Sequence, residues 1–177
     1  MTATTLALRW RALRAGLAAV AGAAVLVPLV ASWDDGGRLR LVVTDRGGDM
    51  LVSTELPDSG RYALDYQHSY YDQPATEVFQ AEGAHFRLAA LTSPSEAVLD
   101  YYDLAGPRTT TAGGVHVLVP DVAPAIAELP LIATAKGRRT LVVDGRRYPL
   151  YAEGGARHVL LRVAPESRLS RLLPWRT

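Results

Sequence analysis

The chain predicts a mainly β fold: an antiparallel sandwich or partly closed barrel with one or two short helices, preceded by an N-terminal membrane helix. Three observations carry that prediction. From residue 38 onward, short runs rich in Val, Leu, Tyr and Thr recur at about ten-residue spacing. Gly, Pro and Asp punctuate them, as tight turns require. Before residue 34 the pattern differs altogether, because a charge-free apolar run follows a cluster of arginines.

That N-terminal segment comes first in the chain. Arg9, Arg11 and Arg14 precede residues 15–31, which hold no charge and are interrupted only by Gly16, Gly22 and Pro28. Asp34-Asp35 ends the run. A basic flank before an apolar stretch is the layout of an export signal, because cationic residues stay on the cytoplasmic side. A buried amphipathic helix would need a polar stripe of period 3.6, and residues 15–31 have none. Residues 15–33 as a helix span about 28 Å, close to the ~30 Å hydrocarbon core. Residues 1–33 are therefore expected to be an uncleaved signal-anchor, meeting the membrane through 9–33 and leaving the body outside the cytoplasm. Secretion after cleavage near Ala31-Ser32 is the alternative.

The β elements follow in order. Residues 38–44 and 50–56 read as two strands joined at Asp45-Arg46-Gly47-Gly48. In 61–69, Tyr62, Leu64, Tyr66 and His68 alternate with Ala63, Asp65 and Gln67, so the first set shares a face. Strands 75–81 and 86–91 come next. Ser93-Pro94-Ser95-Glu96 has the form of a capping box with Pro at the first helical position, predicting a short helix over 94–102. A further helical turn is expected over 124–129. Residues 140–143 and 146–150 flank Asp144-Gly145, a pair suited to a type I′ hairpin that sets Val143 against Arg146 and Leu141 against Tyr148. Residues 158–163 form the last strand. The domain is thus expected over 34–166, followed by a tail, 167–177, that mixes Arg168, Arg171 and Arg176 with Leu and Trp. Such a tail suits a membrane surface, a partner groove or a loosely packed end.

Composition excludes several classes. Of 19 basic side chains three lie in the first 33 residues, and the other 16 face 18 acidic ones. The body has no concentrated basic footprint, so nucleic acid is not an expected partner. Cysteine is absent, which removes disulfides, thiolate metal sites and cysteine-linked lipid anchors. No Gly-x-Ser-x-Gly elbow and no close His pair is present, and no glycine pair opens a helix as a phosphate loop does. Neither a metal nor another cofactor is expected.

The segment Tyr66-Gln67-His68-Ser69-Tyr70-Tyr71-Asp72-Gln73-Pro74-Ala75-Thr76-Glu77-Val78-Phe79 resembles the core motif of the family called domain of unknown function 1850. His68, Ser69, Pro74 and Glu77 match its pattern, and the similarity of layout extends over about residues 38–165. The chain departs from that family after Leu91, where Tyr101-Tyr102-Asp103-Leu104-Ala105-Gly106-Pro107 replaces a Gly-rich stretch. The resemblance implies an exported accessory part of solute uptake, beside permeases of the TRAP type that work with TAXI binding proteins. It implies no chemistry.

Read from the residues alone, the motif leaves three roles open. If the hairpin closes with His68 opposite Glu77, then Tyr66 faces Phe79 and Leu64 faces Ala81, and an imidazole–carboxylate contact follows. That contact, with the Ser69 hydroxyl, could be structural and fix the turn. It could instead belong to a site for a small polar or anionic solute, lined by His68, Ser69, Tyr70, Tyr71, Glu77 and Arg108. A hydrolase or metal-dependent enzyme centred on His68 is the third reading, although strand neighbours such as His68 and Ser69 point to opposite faces. No residue is assigned as catalytic. The expected function is an extracytoplasmic, membrane-tethered accessory or solute-binding module; a structural envelope protein without ligand is a further alternative. His85, His116 and His158 carry no expectation beyond turn and strand positions. Arg138-Arg139 and Arg146-Arg147 are expected at a solvated hairpin edge, with contact to anionic lipid or a partner as the alternative.

Overall fold

The computed structural model describes residues 38–166. The expected anchor helix, its cleavage point and the tail 167–177 lie outside the described residues. Strands β1 (Leu39–Asp45), β2 (Met50–Glu55), β3 (Arg61–His68), β4 (Gln73–Glu82) and β5 (His85–Ser93) run in succession, and helix α1 (Glu96–Tyr101) follows. After it come β6 (Arg108–Thr110), β7 (His116–Leu118), β8 (Glu128–Ala133), β9 (Thr140–Val143), β10 (Arg146–Pro149) and β11 (Arg157–Pro165). The domain is mainly β. No helix among the described residues is long and apolar enough to cross a membrane.

The strands form two antiparallel sheets. One has the order β2-β1-β11-β8, the other β10-β9-β3-β4-β5-β7-β6. Alternation explains both. On β3, Tyr62, Leu64, Tyr66 and His68 are buried while the residues between them are not, as a strand with one covered face requires. Leu41 and Val43 of β1, Leu161 and Val163 of β11, Leu64 of β3, Phe79 of β4 and Leu141 of β9 join one core to which both sheets contribute. Removing each such side chain from water is worth roughly 1.5–3 kcal/mol. Tyr62, Phe79 and Phe86 pack at its centre, with Tyr62 stacked on Phe79 at 5.4 Å and Phe86 edge-on to both.

A smaller cluster lies apart from that core. Tyr66, Ala75, Leu91 and Leu118 from the larger sheet meet Val98 and Leu99 of α1, and Tyr71, Tyr102 and Leu104 pack against them. The short helix therefore covers one end of the seven-stranded sheet, and the candidate site is built there.

Several expectations are corrected. Leu64 pairs with Glu77, Tyr62 with Phe79, Tyr66 with Ala75 and His68 with Gln73, so His68 is not opposite Glu77. The turn is confined to residues 69–72, because β4 begins at Gln73 and includes Pro74. Proline is tolerated there because β5 pairs only from Thr76 onward, so no ladder bond from Pro74 to β5 is lost. Asp72 takes a left-handed φ of 52° and its N–H donates to the His68 carbonyl at 2.8 Å, which closes the tight turn.

The helix starts at Glu96 rather than 94, with Ser95 as its cap residue and no side-chain cap bond. Ser93 is used elsewhere, since its hydroxyl donates to the Pro74 carbonyl at 2.8 Å and accepts the Ser95 N–H at 3.1 Å. Residues 124–129 form no helical turn. Ile126 exchanges two backbone hydrogen bonds with Phe86, and Glu128–Ala133 is a strand. Pro130 disguised that strand, but β8 is a sheet edge, where a missing N–H costs no ladder bond. The late hairpin is as expected: Asp144 and Gly145 have φ of 48° and 75°, Val143 pairs with Arg146 and Leu141 with Tyr148.

Candidate functional site

His68 ends β3 on the covered face and is 6% exposed. Its ring meets Tyr101 edge-on at 4.7 Å, Tyr71 at 5.4 Å and Tyr102 at 6.3 Å. The Tyr71 backbone N–H donates to His68 Nδ1 at 3.4 Å, so that nitrogen acts as an acceptor. Burial lowers the His68 pKa below the usual imidazole range, and the Arg139 charge lowers it further. The ring is neutral at neutral pH.

Glu77 lies on the same face as His68 but four residue pairs along the β3–β4 ladder, and its side-chain partner is a tyrosine. The Tyr102 hydroxyl donates to Glu77 Oε1 at 3.0 Å and is also hydrogen-bonded to the Tyr66 hydroxyl. The Tyr66 ring in turn lies under the Arg139 guanidinium, 4.7 Å from its centroid. A chain thus runs from a carboxylate through two phenols to a cation, and it joins β4, the cap residue that ends α1, β3 and the residue before β9. Burial, then the Glu77 charge, pushes the Tyr102 hydroxyl up to about 12 and raises Tyr66 as well. Neither phenol ionises near neutrality; both serve as hydrogen-bonding links. Arg139 Nη1 is buried without a hydrogen-bond partner, which leaves the tyrosine ring as its compensation.

The loop before β9 sets Arg139 in place. Gly137 N–H donates to Thr134 Oγ1 at 2.9 Å and Arg138 N–H to the Thr134 carbonyl at 2.9 Å. The Gly137 carbonyl accepts the Gln67 N–H at 2.8 Å, which ties the loop to β3. Arg139 is therefore not at a solvated hairpin edge as expected. It is half-buried.

Above this network sits an exposed aromatic patch. Tyr70 is 77% and Tyr101 60% exposed, and their rings stack at 6.3 Å with 26° between planes. Tyr71 lies edge-on to both, 4.9 Å from Tyr70 and 6.3 Å from Tyr101. His68 contacts Tyr71 and Tyr101 from below, so the patch rests on a buried ring.

Of the residues the sequence singled out, His68, Tyr70, Tyr71 and Glu77 come together at this end of the sheet. Ser69 does not join them; it is exposed in the turn and makes no side-chain hydrogen bond among the described residues. Arg108 is committed to α1, paired with Asp100 and, at 4.0 Å, with Glu96. Sequence reasoning missed Tyr101, Tyr102 and Arg139. Helical spacing could have found Tyr102, because it follows Val98 by four and Leu99 by three and so shares their face; Arg139 had no such signal. Among the described residues no group of three His, Asp or Glu side chains is placed to hold a metal ion. Of three open clefts, of about 640, 420 and 400 Å³, none is lined by His68, and the second reaches Tyr66. Compared with known proteins, the chain matches no family model, no curated protein and no solved structure.

Proposed function

We propose that the chain is an extracytoplasmic accessory or solute-binding module of an uptake system of the TRAP type, held at the membrane by residues 9–33, with the domain folded as a two-sheet sandwich. The contact surface in this reading is the tyrosine patch, and the Glu77–Tyr102–Tyr66–Arg139 chain is its support. One observation carries it: Tyr70 and Tyr101 are large, mostly exposed and stacked on each other over a buried histidine. A folded chain gains nothing from leaving such rings in water, whereas rigid tyrosines lose little entropy on binding and dominate contact energetics. The polar chain beneath has the character of scaffold, since its groups are already paired with one another.

The transport part rests on the motif at 66–79 and on the basic–apolar N-terminus. Deletion of the gene tests it. The expected result is loss of uptake of a solute, with the protein recovered in the membrane fraction of wild-type cells. Recovery of the full-length polypeptide from a soluble cytosolic fraction, or unchanged uptake, contradicts it.

A further inference from the structure

We propose that the solvent-facing side of β3 carries a second site, for an organic phosphate, with the phosphoryl group between Lys136 and Arg138 and the organic part toward Pro74, Pro149 and Tyr151. It is separate from the tyrosine patch, since neither cleft that forms it is lined by Tyr70, Tyr71 or Tyr101.

Two of the clefts make this site. The one of about 420 Å³ is lined by Asp65, Gln67, Arg138, Arg147 and Tyr151 among others; the one of about 400 Å³ by Gln67, Asp72, Lys136 and Arg138. Sharing Gln67 and Arg138, they form one groove with a polar end and a prolyl-tyrosyl end. Its acidic groups are engaged. Asp65 accepts the Thr76 hydroxyl at 2.7 Å on one oxygen and pairs with Arg147 at 2.7 Å on the other. Asp72 accepts the Gln67 amide at 3.2 Å. Lys136 and Arg138 are exposed and form no ion pair among the described residues, so the polar end is net positive.

The backbone adds a second argument. Arg138 has a φ of 46°, a conformation that costs an arginine energy and a glycine almost none. The Thr134 and Gln67 hydrogen bonds hold it there, stapling the loop to the strand that floors the groove. An ammonium and a guanidinium fork, neither in an ion pair among the described residues, give two cations of different reach. They suit a dianionic phosphoryl group better than a singly charged carboxylate.

Calorimetric titration of the full-length protein in detergent, with phenyl phosphate and with benzoate, tests the site. Phenyl phosphate is expected to bind saturably and about ten-fold more tightly than benzoate, as loss of one charge-assisted hydrogen bond implies. Arg138→Gly, which suits the backbone, and Lys136→Ala should each weaken it about ten-fold without lowering the melting temperature, while Tyr70→Ala leaves it unchanged. A second arm uses vesicles of phosphatidylglycerol and phosphatidylcholine. Weaker association of both basic-residue variants with these vesicles, without binding of phenyl phosphate, assigns the site to a lipid headgroup. No saturable binding in either arm, equal affinity for benzoate, or variants that bind like wild type would overturn the proposal.

Discussion

Tyr102 passes two hydrogen bonds through one hydroxyl, to Glu77 and to Tyr66, and that oxygen is the most consequential single atom at this end of the domain. Tyr102→Phe keeps the ring and leaves a half-buried carboxylate and a buried phenol short of partners. A loss of about 1–3 kcal/mol is expected, read from the denaturant midpoint. Tyr62 is the opposite case. Its hydroxyl is buried with no partner, so Tyr62→Phe should be neutral or stabilising by about 1 kcal/mol. His68 sets a pH dependence. Its pKa is lowered in the folded state, and the imidazole is neutral in both states above pH about 6.5. As pH falls below that, the unfolded chain takes up a proton that the folded chain refuses, so stability declines until pH passes the folded pKa. Stability curves measured across this window should steepen toward acid, and His68→Gln should remove that component. An unchanged slope in the variant would show that other groups set it.

At the scale of elements, the β3–β4 hairpin shows what sequence can and cannot supply. Alternation over 61–68 put Tyr62, Leu64, Tyr66 and His68 on one face, and that face is the buried one, because the pleat sends alternate side chains to opposite sides. Register was not legible. It depends on the turn, and the turn on Asp72 adopting a left-handed φ and on Pro74 sitting where β4 has no second partner. Pro74 and Pro130 both lie inside strands where an absent N–H breaks no ladder. The connection from α1 to β6 offers a test at the same scale. Gly106 has a φ of 153°, and a Cβ there would stand 2.0 Å from the Val119 carbonyl oxygen. Gly106→Ala should cost about 3 kcal/mol or more and loosen the pairing of β6 with β7. Gly154→Ala is the control, since nothing lies within 4 Å of its Cβ position. Thermal melts of the two variants should differ by several degrees; equal melts would mean the connection tolerates displacement.

Over the molecule as a whole, the mainly β class followed from strand spacing and turn residues, and the two antiparallel sheets agree with it. What spacing could not supply was the covering of the larger sheet's end by α1. The second, smaller cluster under α1 depends on residues far apart in sequence, Tyr66, Leu91, Val98 and Leu118, and no local pattern announces their meeting. That cluster decides how the candidate site is read. Its motif residues split into a buried hydrogen-bonded chain and an exposed aromatic surface, and the proposed function gives Glu77 a structural role and Tyr70 a binding one. The two roles separate experimentally, because the chain determines stability and the surface does not.

The most direct measurement is complementation of a gene deletion with Tyr70→Ala, Tyr101→Ala, scored by uptake of whichever solute the deletion abolishes and by the melting temperature of the purified full-length variant. The account predicts a wild-type melting temperature and uptake no better than in the deletion. Full restoration of uptake by this variant would contradict it.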